Sequence, residues 1–160
     1  MGLRGNHIFS LVAAVFAAAV LFSCSRPDTF GTFVKSSHLD EEGMYTMTLD
    51  MSDSLAAYDF TLFTRLDCRR TKFAQLEDSF GVGVVWHAPD STEYREFVYI
   101  PKDSFCASTP FSKSYYLPFR SGVVPTQPGE WTVSFLVLSD AAKYMNGMGI
   151  MCNINREEEE

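Results

Sequence analysis

Tyr45-Thr46-Met47-Thr48-Leu49-Asp50-Met51 alternates apolar and polar residues without a break, so an extended chain places every second side chain on one buried face. The same period recurs along the chain. Tyr58 to Leu66 sets Tyr58, Phe60, Leu62 and Leu66 on one side. Phe80 to His87 sets Phe80, Val82, Val84 and Trp86 on one side and Gly81 and Gly83 on the other. Glycines there weaken a strand unless a backbone or a bulky ring approaches them closely. Ala88-Pro89-Asp90-Ser91 is a turn, and it joins that strand to Tyr94–Ile100 as a hairpin. Tyr115 to Phe119 reads as a short edge strand, because Pro118 has no N–H to give to a ladder. Trp131 to Leu138 is the clearest strand, introduced by the turn Pro125 to Glu130. Asp67 to Ser79 reads as a charged loop with a helical turn, and Asp140 to Asn146 as a turn of helix ended by Gly147. Met148 to Asn153 closes the set. About seven strands, with no helix long enough to cross between parallel strands, predict a single all-β domain: an antiparallel β-sandwich of jelly-roll or Ig-like type.

The N-terminus constrains location as tightly as the alternation constrains fold. Arg4 and His7 precede a run from Ile8 to Phe22 of 15 residues, in which only Ser10 is polar. That is too short to cross a hydrocarbon core of ~30 Å comfortably as a helix, and it reads as a secretory signal. It runs into Leu21-Phe22-Ser23-Cys24, a bacterial lipobox, so residues 1–23 are expected to be removed and Cys24 to carry acyl chains. With ~0.8 kcal/mol for each buried methylene, two or more chains hold a protein to a bilayer essentially permanently. Ser25-Arg26-Pro27-Asp28 has no run of acidic residues of the kind that resembles a surface-export signal, and no Asp directly after Cys24 to suggest inner-membrane retention. The expected address is the outer membrane, facing the periplasm. Residues 24–43 then read as a polar tether, 44–156 as the sandwich and 157–160 as an acidic tail.

Charge and cysteine content exclude several classes of function. The chain carries a net charge of −7, and loss of Arg4 with the signal leaves the mature protein more acidic still, a poor partner for nucleic acid. With Cys24 modified, only Cys68, Cys106 and Cys152 remain, enough for one disulfide at most, and their spacings of 38 and 46 residues fit no zinc or CxxC pattern. No cofactor or metal is expected. Asp40-Glu41-Glu42 lacks the alternation of ligands and the glycine of a calcium loop. His87 is the sole histidine beyond residues 1–43, and no HExxH or GxSxG signature accompanies it, so no catalytic residue is expected. The basic group Arg65, Arg69, Arg70 and Lys72 reads as solvated loop charge that could meet an acidic partner.

What remains for function is surface. Aromatic residues make up 14% of the chain, and Tyr94, Tyr99, Tyr115 and Tyr116 cannot all be central core. Leu117 to Pro125, with Pro118, Pro125 and Gly122, forms a stiff loop around Arg120. Arg120 is expected either to pair with Glu130 or to contact a partner at little entropic cost. Arg120, Glu130, Tyr115 and Tyr116 are therefore the candidate partner contacts, and Cys24 the lipidation site.

The lipobox, Tyr58 to Arg65, Val82 to Pro89, Tyr94 to Val98, Gly129 to Val137 and the closing Asn146-Gly147-Met148-Gly149-Ile150 together resemble the gliding-motility lipoprotein GldH family of Bacteroidetes. The resemblance covers most of the mature chain, and its elements are strands and turns rather than catalytic signatures. It implies a periplasm-facing outer-membrane lipoprotein that supports gliding and type IX secretion. Its partners would be the bilayer, through acylated Cys24, and envelope or secretion-machine proteins. The alternative expectations are a carbohydrate-binding envelope lipoprotein, from the aromatic content, and an envelope hydrolase, which requires His87 clustered with carboxylates in a cleft.

Overall fold

The computed structural model describes residues 28–156. The expected signal segment 1–23, Cys24 and the acidic tail 157–160 lie outside the described residues. Among the described residues nine strands succeed one another: β1 Thr29–Lys35, β2 Tyr45–Met51, β3 Ala56–Asp67, β4 Ser79–His87, β5 Glu93–Pro101, β6 Ala107–Ser108, β7 Ser112–Val123, β8 Gly129–Val137 and β9 Met145–Arg156. One sheet has the order β1-β9-β3-β7-β6 and the other β2-β8-β4-β5, with every pairing antiparallel. The two sheets form an all-β sandwich. Setting aside the two-residue β6, the chain changes sheet so that two interlocked groups of four strands result, which is the jelly-roll order.

The alternation read from the sequence is what holds the sheets together. Tyr45, Met47, Leu49 and Met51 of β2 are all buried, and Thr46, Thr48 and Asp50 between them are exposed. Phe80, Val82, Val133, Phe135, Met148 and Ile150 bring their side chains to complete or near-complete burial between the sheets. Each such side chain contributes ~1.5–3 kcal/mol relative to exposure. On the outer face, Gly81 and Gly83 lie opposite Tyr99 and Phe97. A Cβ at Gly81 would lie 3.1 Å from the Phe97 ring, and one at Gly83 3.8 Å, so a ring covers both glycines.

Three expectations need correction. The stretch 24–43 is not a tether throughout, because Thr29–Lys35 pairs with β9 from Thr29↔Asn153 to Lys35↔Gly147. Strict alternation does not mark it, because it is an edge strand with no fully buried position, tucking only Phe30 and Val34 against the core. The strand around Pro118 is twelve residues long rather than five, although its outer side is paired only with β6, at Ser114 and Lys113. Pro118 lies opposite Thr61 of β3 and beyond the reach of β6, so the outer side of β7 has no paired strand there. Gly147 does not end a helix: the 3-10 turn closes at Tyr144, and Gly147 is inside β9.

Four strands of the first sheet finish together at one end of the sandwich. Thr29 of β1, Ala56 of β3, Val123 of β7 and Arg156 of β9 meet there, through the pairs Thr29↔Asn153, Ala56↔Arg156 and Tyr58↔Val123. Arg156 joins Asp28 (2.7 Å) and Asp53 (3.0 Å), and the Ile154 N–H donates to the Asp28 carbonyl at 2.7 Å. The point where the chain enters the sandwich is thus tied to the β2–β3 turn.

Candidate functional site

At that same end, β5 of one sheet and β7 of the other run along the side of the sandwich, and a cleft of about 220 Å³ opens between them. Strand parity aims Tyr94, Glu96, Val98 and Ile100 of β5 inward. Three of these are apolar or aromatic, and Glu96 is the exception. Its carboxylate accepts a hydrogen bond from Trp86 Nε1 at 2.7 Å and pairs with the guanidinium of Arg120. One glutamate therefore links β4, β5 and β7, tying the two sheets across their edges. Only 19% of the Glu96 side chain is exposed, against 55% of Arg120, so the acid is the inner member of the pair.

Aromatic rings build the remaining wall. Trp131 is buried, with its Nε1 donating to the Gln127 carbonyl at 2.9 Å, and its ring stacks with Tyr94 at 6.1 Å between centroids. Trp86 stacks with Phe119 at 6.1 Å and 2°. Val123, Val124 and Pro125 close the mouth from the loop side. The chain's two tryptophans both line this cleft. Apart from the Glu96–Arg120 pair, whose charges cancel, the surroundings are mainly apolar.

The sequence-derived candidates separate in space. Arg120 is at the cleft, but its partner is Glu96 and not Glu130. Because Trp131 takes the inward face of β8, parity turns Glu130 outward, where it lies opposite Asp50 of β2, a like charge. Tyr115 is no surface contact: it is 2% exposed, its hydroxyl donates to the Lys102 carbonyl at 2.7 Å, and burial pushes its ionisation well above the usual tyrosine range. Tyr116 does face outward, on the five-stranded sheet, with its hydroxyl 3.2 Å from Met151 Sδ. Of the three cysteines among the described residues, Cys68 and Cys152 are buried and Cys106 is exposed. Glu96 and Trp86 are the site residues that sequence reasoning missed, whereas Tyr94 is one of the four tyrosines already marked as more than the core needs. An acid at an inward parity position among Tyr94, Val98 and Ile100 was the available signal.

A second, polar groove lies on the outer face of the four-stranded sheet and contains His87, Glu93, Arg95 and Asp40. His87 Nε2 is 3.5 Å from Glu93, which also pairs with Arg95. The hydrogen bond from Arg95 holds the Glu93 carboxyl below its usual range, with His87 adding to the effect. Asp40 accepts from the Thr46 hydroxyl at 2.6 Å and from the Met44 N–H at 2.9 Å, and these bonds hold it ionised. The groove therefore consists of surface ion pairs and a capped turn. Among the described residues no group of three or more His, Cys, Asp or Glu is placed to hold a metal ion.

Arg120→Ala should lower stability by about 1–2 kcal/mol, since it leaves a largely buried carboxylate without its counter-charge. Thermal unfolding of the single variant and of Arg120→Ala with Glu96→Gln checks this, because the neutral double variant should recover part of the loss.

No family model matches the chain, and no curated protein matches it. Several solved structures align with it at low identity. A protein of Sulfurospirillum deleyianum is 8% identical over 82% of this chain and 100% of its own, with a TM-score of 0.34. The Yersinia pseudotuberculosis-derived mitogen is 8% identical over 82% and 88%, with a TM-score of 0.31. The enzymatically active domain of tailspike protein 4 of bacteriophage CBA120 is 12% identical over 79% of this chain but 18% of that chain, with a TM-score of 0.35. At such scores and identities the likeness says nothing about activity.

Proposed function

We propose that the chain is a lipid-anchored, non-enzymatic accessory or scaffold protein of the outer membrane, facing the periplasm, and that it serves a gliding-motility or type IX secretion assembly. The observation that carries this reading is the position of the lipobox cysteine. Cys24 stands four residues ahead of Asp28, which Arg156 and Ile154 fix to the end of the sandwich. Four residues span at most ~14 Å, so an acylated Cys24 holds the domain close against the leaflet. The choice of assembly rests on the resemblance of its strands and turns to the gliding-motility lipoproteins.

A rigid body held this way acts through its remaining surfaces. On the outer face of the four-stranded sheet, Phe97, Tyr99 and Leu138 are 51%, 67% and 55% exposed. Tyr99 pairs with Gly81, whose carbonyl accepts from the Leu138 N–H at 2.8 Å, so the apolar side chains adjoin. Adjoining exposed aromatics on a flat sheet suit a protein partner. Tyr99→Ser combined with Leu138→Ser should reduce partner crosslinks in intact cells by about tenfold, consistent with loss of ~1–2 kcal/mol of contact energy. The melting temperature should stay within about 2 °C. Unchanged crosslinks would count against this face as the contact.

A carbohydrate-binding reading gains support from the Tyr94–Trp131 stack at the cleft. Three exposed tyrosines weigh against it, for Tyr94 is at the mouth while Tyr99 and Tyr116 face out from opposite sheets. They do not form the continuous row that sugar stacking uses.

A further inference from the structure

We propose that the cleft between β5 and β7 takes the acyl chain of a bilayer lipid, an inference that rests on the anchoring of Cys24. Its direction supports this first. The cleft is lined by Met51 at the end of β2 and by Val123 and Val124 at the end of β7. Val123 is next to Tyr58, which pairs in turn with Ile154, and Ile154 holds Asp28. The mouth and the root of the anchor are therefore on the same end of the sandwich. With at most ~14 Å of chain between Asp28 and an acylated residue, that end is the one presented to lipid.

Apolar residues exposed at that end of the sandwich fit the same surface. Leu55, in the turn beside Asp53, is 89% exposed, and Val124 is 62% exposed. Large apolar side chains on loop tips are wasteful in water and favourable at the boundary of headgroups and acyl chains. The interior of the cleft then selects the ligand. Met51, Phe60, Val123 and two tryptophan faces offer dispersion contacts, whereas a sugar would leave its hydroxyls without partners. The charged feature, Glu96 with Arg120, is already internally paired. At about 220 Å³ the cleft is smaller than a site for a whole drug-sized molecule and suits the end of a tail whose head stays outside.

Because both tryptophans line the cleft, they report its occupancy directly. The full processed lipoprotein is reconstituted in vesicles of phosphatidylethanolamine and phosphatidylglycerol, with or without lipid brominated on its acyl chain. Flotation is measured on the same samples. Quenching of at least about half the tryptophan emission by brominated lipid is expected, with Val124→Glu floating normally but losing most of the quenching. Normal flotation with equal emission in both vesicles overturns the inference while leaving anchoring intact. Failure to float overturns anchoring instead. In either event a soluble, medium-chain brominated fatty acid is titrated against the Cys24→Ala chain: saturable quenching supports an acyl-binding cleft, and none removes it. Saturable quenching of Cys24→Ala together with none of the floated lipoprotein means that the protein's own acyl chain fills the cleft, which contradicts a bilayer lipid as the occupant.

Discussion

Trp131→Ala is expected to destabilise the sandwich domain by about 3–5 kcal/mol, the range for deleting a large buried aromatic side chain. Trp131 is 6% exposed, stacks on Tyr94 and donates its Nε1 hydrogen to Gln127. Its removal would empty the middle of the cleft wall and free the loop that carries Val124 and Pro125. Urea denaturation at equilibrium measures the loss. A change below about 1 kcal/mol would mean that the ring is not part of the core, and the cleft as described would then lack its floor.

Gly147→Ala should cost a comparable amount, about 3 kcal/mol, although it adds one methyl group rather than removing a ring. A Cβ at that position would collide with the Phe33 ring and with the Val34 carbonyl of β1. A ring can rotate away, but the carbonyl belongs to the strand that pairs Lys35 with Gly147, so relief requires β1 to peel from β9. Gly149 provides the contrast. The nearest neighbours of a Cβ there would all be atoms of the Phe63 ring, a side chain stacked on Phe33 at 5.7 Å, and not backbone. Gly31→Ala, whose new Cβ would have no neighbour nearer than 3.4 Å, should change stability by less than about 0.5 kcal/mol. Hydrogen exchange would place the Gly147 effect, with protection lost first along Thr29–Lys35.

Strands with one face in the core announce themselves in the sequence, because burial enforces strict alternation: Tyr45–Met51 ends at the same two residues in sequence and structure. Edge strands carry no such requirement. β1 escapes for that reason, and β7 extends well past Tyr115–Phe119 because Ser112 to Ser114 and Arg120 to Val123 belong to the strand without a fully buried position among them. The aromatic cover over Gly81 was foreseeable as a need, though not which ring would meet it. Identifying Phe97 requires the register of β4 against β5.

The candidate site was legible in half. Arg120 was singled out from the stiffness of its loop, and it does sit at the cleft. Of the two expectations for Arg120, pairing with the near neighbour Glu130 fails, because pairing across a sandwich depends on which strands form the facing edges. Glu96 is 24 residues away from Arg120 in sequence, on the opposite sheet. Tyr115 and Tyr116 look interchangeable in sequence, yet strand parity sends one into the core and the other to solvent.

Both the proposed membrane address and the proposed orientation of the cleft depend on Cys24, and the most direct measurement is metabolic labelling with an alkyne analogue of palmitate, followed by membrane fractionation. The native chain should carry the label and sediment with outer membranes, while Cys24→Ala should be unlabelled and mostly soluble. A native chain without label, or a Cys24→Ala chain that stays with the membrane, would contradict lipid anchoring and, with it, the presentation of the cleft to the bilayer.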